Sequence, residues 1–172
     1  MNRKIITGLI ILGCFLLEST IFHNLTFASI SPNLMIIITS SFGFMRGKKE
    51  GMTVGFICGL FVDLFWGNIL GFHMLIYTLI GYLNGTFQRL FYDDDIKLPI
   101  FLITASELIY GFIIYACIYM LQGDFSFNLY FFKIIIPELV YTILVTLVLY
   151  QIILRINRKL EAKEQRSASR FV

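Results

Sequence analysis

Charge is scarce in this chain. Only 15% of its 172 residues are Asp, Glu, Lys or Arg, and 58% are hydrophobic. A soluble domain carries about 25% charged residues, so a water-soluble globule is excluded. Catalytic machinery is equally sparse. There is no P-loop, no Gly-x-Ser-x-Gly and no His-Glu-x-x-His, and the two histidines, His23 and His73, have no triad logic around them. No catalytic, cofactor-binding or metal-ligating set is expected, and the chain reads as non-enzymatic. The three cysteines, Cys14, Cys58 and Cys117, fall inside apolar runs without metal-ligand spacing, which suits small buried hydrophobes. Asp93-Asp94-Asp95 lacks the alternating pattern of a calcium loop and reads as a solvated turn. The formal charge of +3 does not point to nucleic acid, because in such a chain the location of basic residues outweighs their sum.

What is present is a series of apolar runs, several near the roughly 20 residues that cross about 30 Å of hydrocarbon. They predict an all-α, polytopic membrane bundle of six transmembrane helices in one domain, residues 1–156, with a basic tail over 157–172. The spans are placed at about 5–22, 33–45, 51–66, 69–87, 98–121 and 137–156. The first is long for a signal peptide and carries Glu18, so it is read as retained. The second is short for a span, which calls for tilt, a kink or shielding by neighbours. Pro32 and Pro99 suit first helical turns. Pro137 allows two solutions: a span that starts there, preceded by an aromatic segment (Phe125, Phe127, Tyr130) along the outer interface, or one long kinked helix. The first is favoured. With six spans, one side holds every Lys and Arg except Lys133, which predicts both termini in the cytoplasm. The tail, Arg155 to Arg170, is also suited to anionic lipid in the bilayer.

Two residue patterns need a physical reason. Gly51, Gly55 and Gly59 recur every four residues and Asp63 continues the series, giving the third span a face almost without side chains; Gly71 follows, and Gly81 and Gly85 notch the fourth. Small faces let membrane helices approach closely, so this is either a packing face within the bundle or a seat for a partner's helix. The second pattern is a set of polar groups in the outer half: Glu18, Asp63, His73, Lys133 and Glu138, with Glu107 closer to the middle. A carboxylate at membrane depth costs about 2.5–3.5 kcal/mol on insertion scales and normally faces protein or a wet cavity. Lys133 and His73 are the partners expected for Asp63. Glu138, just after Pro137, suits the positive end of a helix dipole. The cluster is either a polar knot that holds the bundle together or a ligand pocket.

Over nearly its whole length the chain resembles the MreD family of rod-shape-determining membrane proteins. The likeness rests on Ser31-Pro32-Asn33-Leu34, on Gly55-Phe56-Ile57-Cys58-Gly59-Leu60-Phe61-Val62-Asp63, on Leu70-Gly71 and on Tyr77 to Gly81-Tyr82, taken in order. The resemblance implies a scaffold in the bacterial cytoplasmic membrane that regulates peptidoglycan synthesis and cell shape. It would bind an MreC-type bitopic protein and, through it, MreB filaments and the RodA-transpeptidase synthase; a second copy of the chain is another candidate partner. It also implies a fold similar to the substrate-binding subunits of energy-coupling-factor vitamin transporters. A vitamin-binding subunit of that kind is the alternative reading, although the Ala-x-x-x-Ala motif of their first helix is missing. A lipid-handling component is a weaker third.

Overall fold

The computed structural model describes residues 3–22, 31–67, 69–90, 96–119 and 127–168, and among them there is no β-strand. Six helices follow one another. They are α1 (Arg3–Leu17, prolonged by a π turn, Glu18–Phe22), α2 (Leu34–Arg46), α3 (Lys48–Phe65), α4 (Phe72–Thr86, closed by a 3-10 turn, Phe87–Leu90), α5 (Lys97–Ile114, prolonged by a π turn, Tyr115–Tyr119) and α6. The last opens at Phe127–Tyr130, passes through a π turn at Phe131–Ile135 and continues as Ile136–Ala168.

The short helix α2 is the centre. Every residue from Leu34 to Met45 is buried, and α1, α3, α4, α5 and α6 all pack on it. A helix that is apolar all round belongs inside, and that explains its length. Thirteen residues rise only about 20 Å, too little to cross the hydrocarbon, but a shielded helix meets protein at both ends. The outer helices face the other way. In α1, Thr7, Ile11, Cys14 and Phe15 form a buried stripe while Ile5, Leu9, Leu12 and Leu16 are exposed. Phe101, Leu75, Leu144 and Val148 are likewise exposed on α5, α4 and α6, a surface made for hydrocarbon rather than water. Lys97–Cys117 and Phe127–Ala162 are long and apolar enough to cross a membrane. Of the cysteines, Cys14 and Cys58 are buried, whereas Cys117 lies exposed.

The sixth helix differs from the favoured expectation. It runs unbroken through Pro137 instead of starting there. Proline lacks an N–H, and its ring collides with the carbonyl four residues back. The π turn at Phe131–Ile135 directly precedes it, and the Ile136 N–H reaches back to the carbonyl of Phe131, so the backbone is already widened where the ring must fit. Phe127 and Tyr130 therefore belong to this helix and stack on α5: ring centroids lie 5.8 Å apart for Phe112–Phe127, 5.0 Å for Tyr115–Phe127 and 5.2 Å for Tyr115–Tyr130. Phe125 and Asp93–Asp95 lie outside the described residues. The helix also continues well past residue 156. Asn157 is buried and accepts a 2.6 Å hydrogen bond from Arg46 Nε, and Glu161 pairs with Arg46 at 3.6 Å. The beginning of the tail is thus packed against the end of α2.

Candidate functional site

The most intimate contact in the bundle is α3 against α4, and glycine makes it. A Cβ placed on Gly55 would lie 2.3 Å from the Tyr77 carbonyl oxygen, one on Gly59 2.3 Å from Met74 Cα, and one on Gly81 2.1 Å from the Gly51 carbonyl oxygen. Gly85 sits equally close to the backbone of Lys48, and Gly43 of α2 reaches the Gly81 carbonyl oxygen, so three helices meet around Gly81. Gly51, Gly55, Gly59, Gly81 and Gly85 are therefore all engaged within the chain. Gly71 serves differently. It takes φ +98°, a conformation that side chains rarely adopt, and turns the chain into α4.

Asp63 sits at the end of the glycine series and its carboxylate is fully enclosed. Its Oδ2 accepts the backbone N–H groups of Gly71 (2.8 Å) and Met74 (3.0 Å), and its Oδ1 accepts that of His73 (3.0 Å) and lies 2.9 Å from His73 Nδ1. These amides are the unsatisfied donors at the start of α4, whose own cap residue, Gly71, has no side chain to offer. A carboxylate from a neighbouring helix takes that place, where the helix dipole favours negative charge. His73 is thus the partner of Asp63. Lys133, the other expected partner, is exposed on α6.

Glu18 repeats this arrangement one step earlier. The backbone N–H groups of Leu34 and Met35, in the first turn of α2, donate to its carboxylate, and Asn33 caps the same turn through Oδ1 on the Ile36 N–H (3.1 Å). Asn33 also accepts the Tyr77 hydroxyl at 3.0 Å and donates its own N–H to Thr142 of α6 at 3.2 Å. Tyr77 bonds to Tyr110, whose ring stands 6.2 Å from that of His73. Hydrogen bonds thus join α5, α4, α2 and α6 at one end of the bundle, and the Asp63–His73 pair packs beside them.

Glu138 does not occupy a first turn, because its helix starts eleven residues earlier. It shares a hydrogen bond with Glu107 of α5 instead. Glu107, which the sequence sets nearer the middle, also lies within electrostatic reach of Glu18. Asn33 and Tyr77 enter the sequence reading only through the family likeness, and Tyr110 and Thr142 not at all, since single polar residues within apolar runs give no spacing to read. Further along, Asn84 ties α4 to Ser106 of α5 (2.8 Å) and Ser40 of α2 (3.4 Å). Among the described residues no group of three or more His, Cys, Asp or Glu is arranged to hold a metal ion.

On the far side of the α3–α4 contact lies an apolar groove of about 550 Å3, lined by Met52, Phe56, Met74, Leu75, Thr78, Leu79 and Tyr82. The backbones of α3 and α4 approach so closely that their side chains splay apart and leave this depression.

Residues 2–160 match the family of the rod shape-determining protein MreD. The chain belongs to the MreD family. No curated protein and no solved structure matches it, so the expected likeness to energy-coupling-factor subunits carries no further argument. Membership places the chain among membrane proteins that determine rod cell shape. The enclosed Asp63 agrees with a structural role, since every hydrogen bond found on it goes to the start of α4.

Proposed function

We propose that this protein is a non-enzymatic, six-span scaffold of the cell-elongation machinery, with both termini in the cytoplasm. It seats the transmembrane helix of an MreC-type bitopic protein and through it restrains MreB filaments and the RodA-transpeptidase synthase. The family match over residues 2–160 carries this reading, since it occupies nearly the whole chain. The concentration of Lys and Arg at the end where α1 and α3 begin supports the orientation.

The glycine series is consumed inside the bundle, so the partner's helix sits in the apolar groove on the other side of α3 and α4. That groove offers a strip of flexible and aromatic side chains with Thr78 at its middle, and Thr78 already donates its hydroxyl to the Met74 carbonyl at 2.6 Å. It therefore presents a sealed, apolar surface to a neighbouring helix.

The test is photocrosslinking in growing cells from Phe56 and Leu75 in the groove and from Leu9 and Leu12 on α1. The groove positions should capture a bitopic membrane protein of MreC type and the α1 positions should not. Capture from α1 alone, or capture of a second copy of the chain from the groove, overturns the assignment of the groove.

A further inference from the structure

The opposite, basic end holds a second cavity. α2 passes into α3 through one residue, Gly47, whose φ of +89° needs glycine. This turn faces the last turn of α4 and the 3-10 segment that follows. Between them lies a cavity of about 630 Å3, within the range of about 300–1,000 Å3 seen for small-molecule sites. Arg46, Lys48, Lys49 and Arg89 line it together with Thr86 and Gln88, and among the described residues no acidic side chain does.

Among the described residues the nearby acids each hold a cation, Glu50 one outside the cavity and Glu161 one on its wall. Glu50 pairs with Arg3 at 3.5 Å, and Glu161 with Arg46 at 3.6 Å. The second contact, with the 2.6 Å bond from Arg46 to Asn157, fixes the one enclosed guanidinium of the cavity in place before any ligand arrives. The remaining three cations are exposed around it. The first turn of α3 forms part of the wall, and its cap residue, Gly47, has no side chain to cover the turn's amides. A fixed guanidinium, three exposed cations and a side-chain amide suit a group with several charged oxygen acceptors.

We propose that this cavity binds a phosphate group, carried either by an anionic lipid headgroup or by a soluble phosphorylated molecule. The site stands whichever side of the bilayer this end faces.

Native mass spectrometry of the full chain in mild detergent tests it, with short-chain phosphatidylglycerol, short-chain phosphatidylcholine and glycerol 3-phosphate as probes. The wild type should retain phosphatidylglycerol over phosphatidylcholine. Lys49→Gln with Arg89→Gln, both exposed and so harmless to folding, should lower that retention at least about fivefold. Equal charge loss at Arg155→Gln with Lys159→Gln should leave it within about twofold. Displacement by glycerol 3-phosphate assigns a soluble ligand, and its failure to displace assigns the lipid; both outcomes support the site. Asp93–Asp95 follow Arg89 closely in sequence, and changing all three to Asn should not weaken retention. Equal retention of phosphatidylcholine, an unchanged cavity variant, an equal loss in the tail variant or a loss on removing the three aspartates overturns the proposal.

Discussion

Gly81→Ala isolates the close approach on which the bundle depends. The added methyl would lie 2.1 Å from the Gly51 carbonyl oxygen and 2.5 Å from the carbonyl carbon behind it, both of them backbone. No rotamer change relieves such a contact, so α3 and α4 must part by about 1 Å to restore van der Waals separation. Overpacking of this kind costs about 1–3 kcal/mol. Alanine's helix preference over glycine returns about 1 kcal/mol at most, so a net loss is expected. Gly8→Ala and Gly13→Ala in α1 are the matched controls, because nothing lies within 4 Å of a Cβ at either position. They keep the propensity gain without the clash. Thermal unfolding in detergent should therefore place Gly81→Ala below the wild type and the two α1 variants at or above it. Gly51→Ala should lower the midpoint too, and the double variant should cost less than the two singles together, since one contact is broken in both. A Gly81→Ala midpoint at or above the wild type would refute the backbone-to-backbone contact.

The capping carboxylate gives a graded series. Asp63→Ala strands three backbone N–H groups and should cost more than His73→Ala, which removes one side-chain contact; Asp63→Asn keeps one acceptor oxygen and should fall between Asp63→Ala and the wild type in the same unfolding assay, with about 1–3 kcal/mol for a stranded buried donor. At the basic end, Arg46→Ala and truncation after Ile156 should each destabilise the purified chain, and the two combined should add little, because both remove the contact with Asn157 and Glu161; simple additivity in detergent melts would refute that coupling. At the other end, Glu138→Gln should be close to neutral in membrane accumulation, since an amide keeps a hydrogen-bonding partner for Glu107, whereas Glu138→Leu should lower it by leaving the Glu107 carboxyl without its partner.

Much of this architecture is legible in the sequence because lipid leaves the backbone few options. Apolar runs near 20 residues predict the long helices, and Gly51–Gly55–Gly59 predict a helix that tolerates another backbone against it. Asp63 stands out for the same reason, as a charge where charge is costly. What is not legible is who meets whom. Asp63 and His73 are ten residues apart and face each other only because α3 and α4 are antiparallel, whereas Lys133 has the better charge and the wrong position. Glu138 looks like a first-turn residue until the π turn carries its helix back to Phe127. The tail reads as a basic, lipid-facing segment because it is rich in Lys and Arg, yet Asn157 marks the point where α6 still packs on Arg46.

The division of roles across the bundle constrains where function resides. Glycines close α3 onto α4, carboxylates from α1 and α3 satisfy the first turns of α2 and α4, and Asn84, Asn157 and the Glu107–Glu138 pair bind the remaining helices. With these interior groups engaged in holding helices together, recognition falls to the surface. The phenotypes should separate accordingly. Changes at Gly55, Asp63 or Asn84 should remove the protein from the membrane, and loss of rod shape should follow from loss of protein. Leu75→Trp on the exposed rim of the groove touches none of those bonds, so it should leave protein levels intact and still yield rounded cells. Immunoblotting of membranes alongside cell-width measurement separates the two classes. Rod-shaped cells carrying normal amounts of Leu75→Trp would move the docking face elsewhere on the bundle.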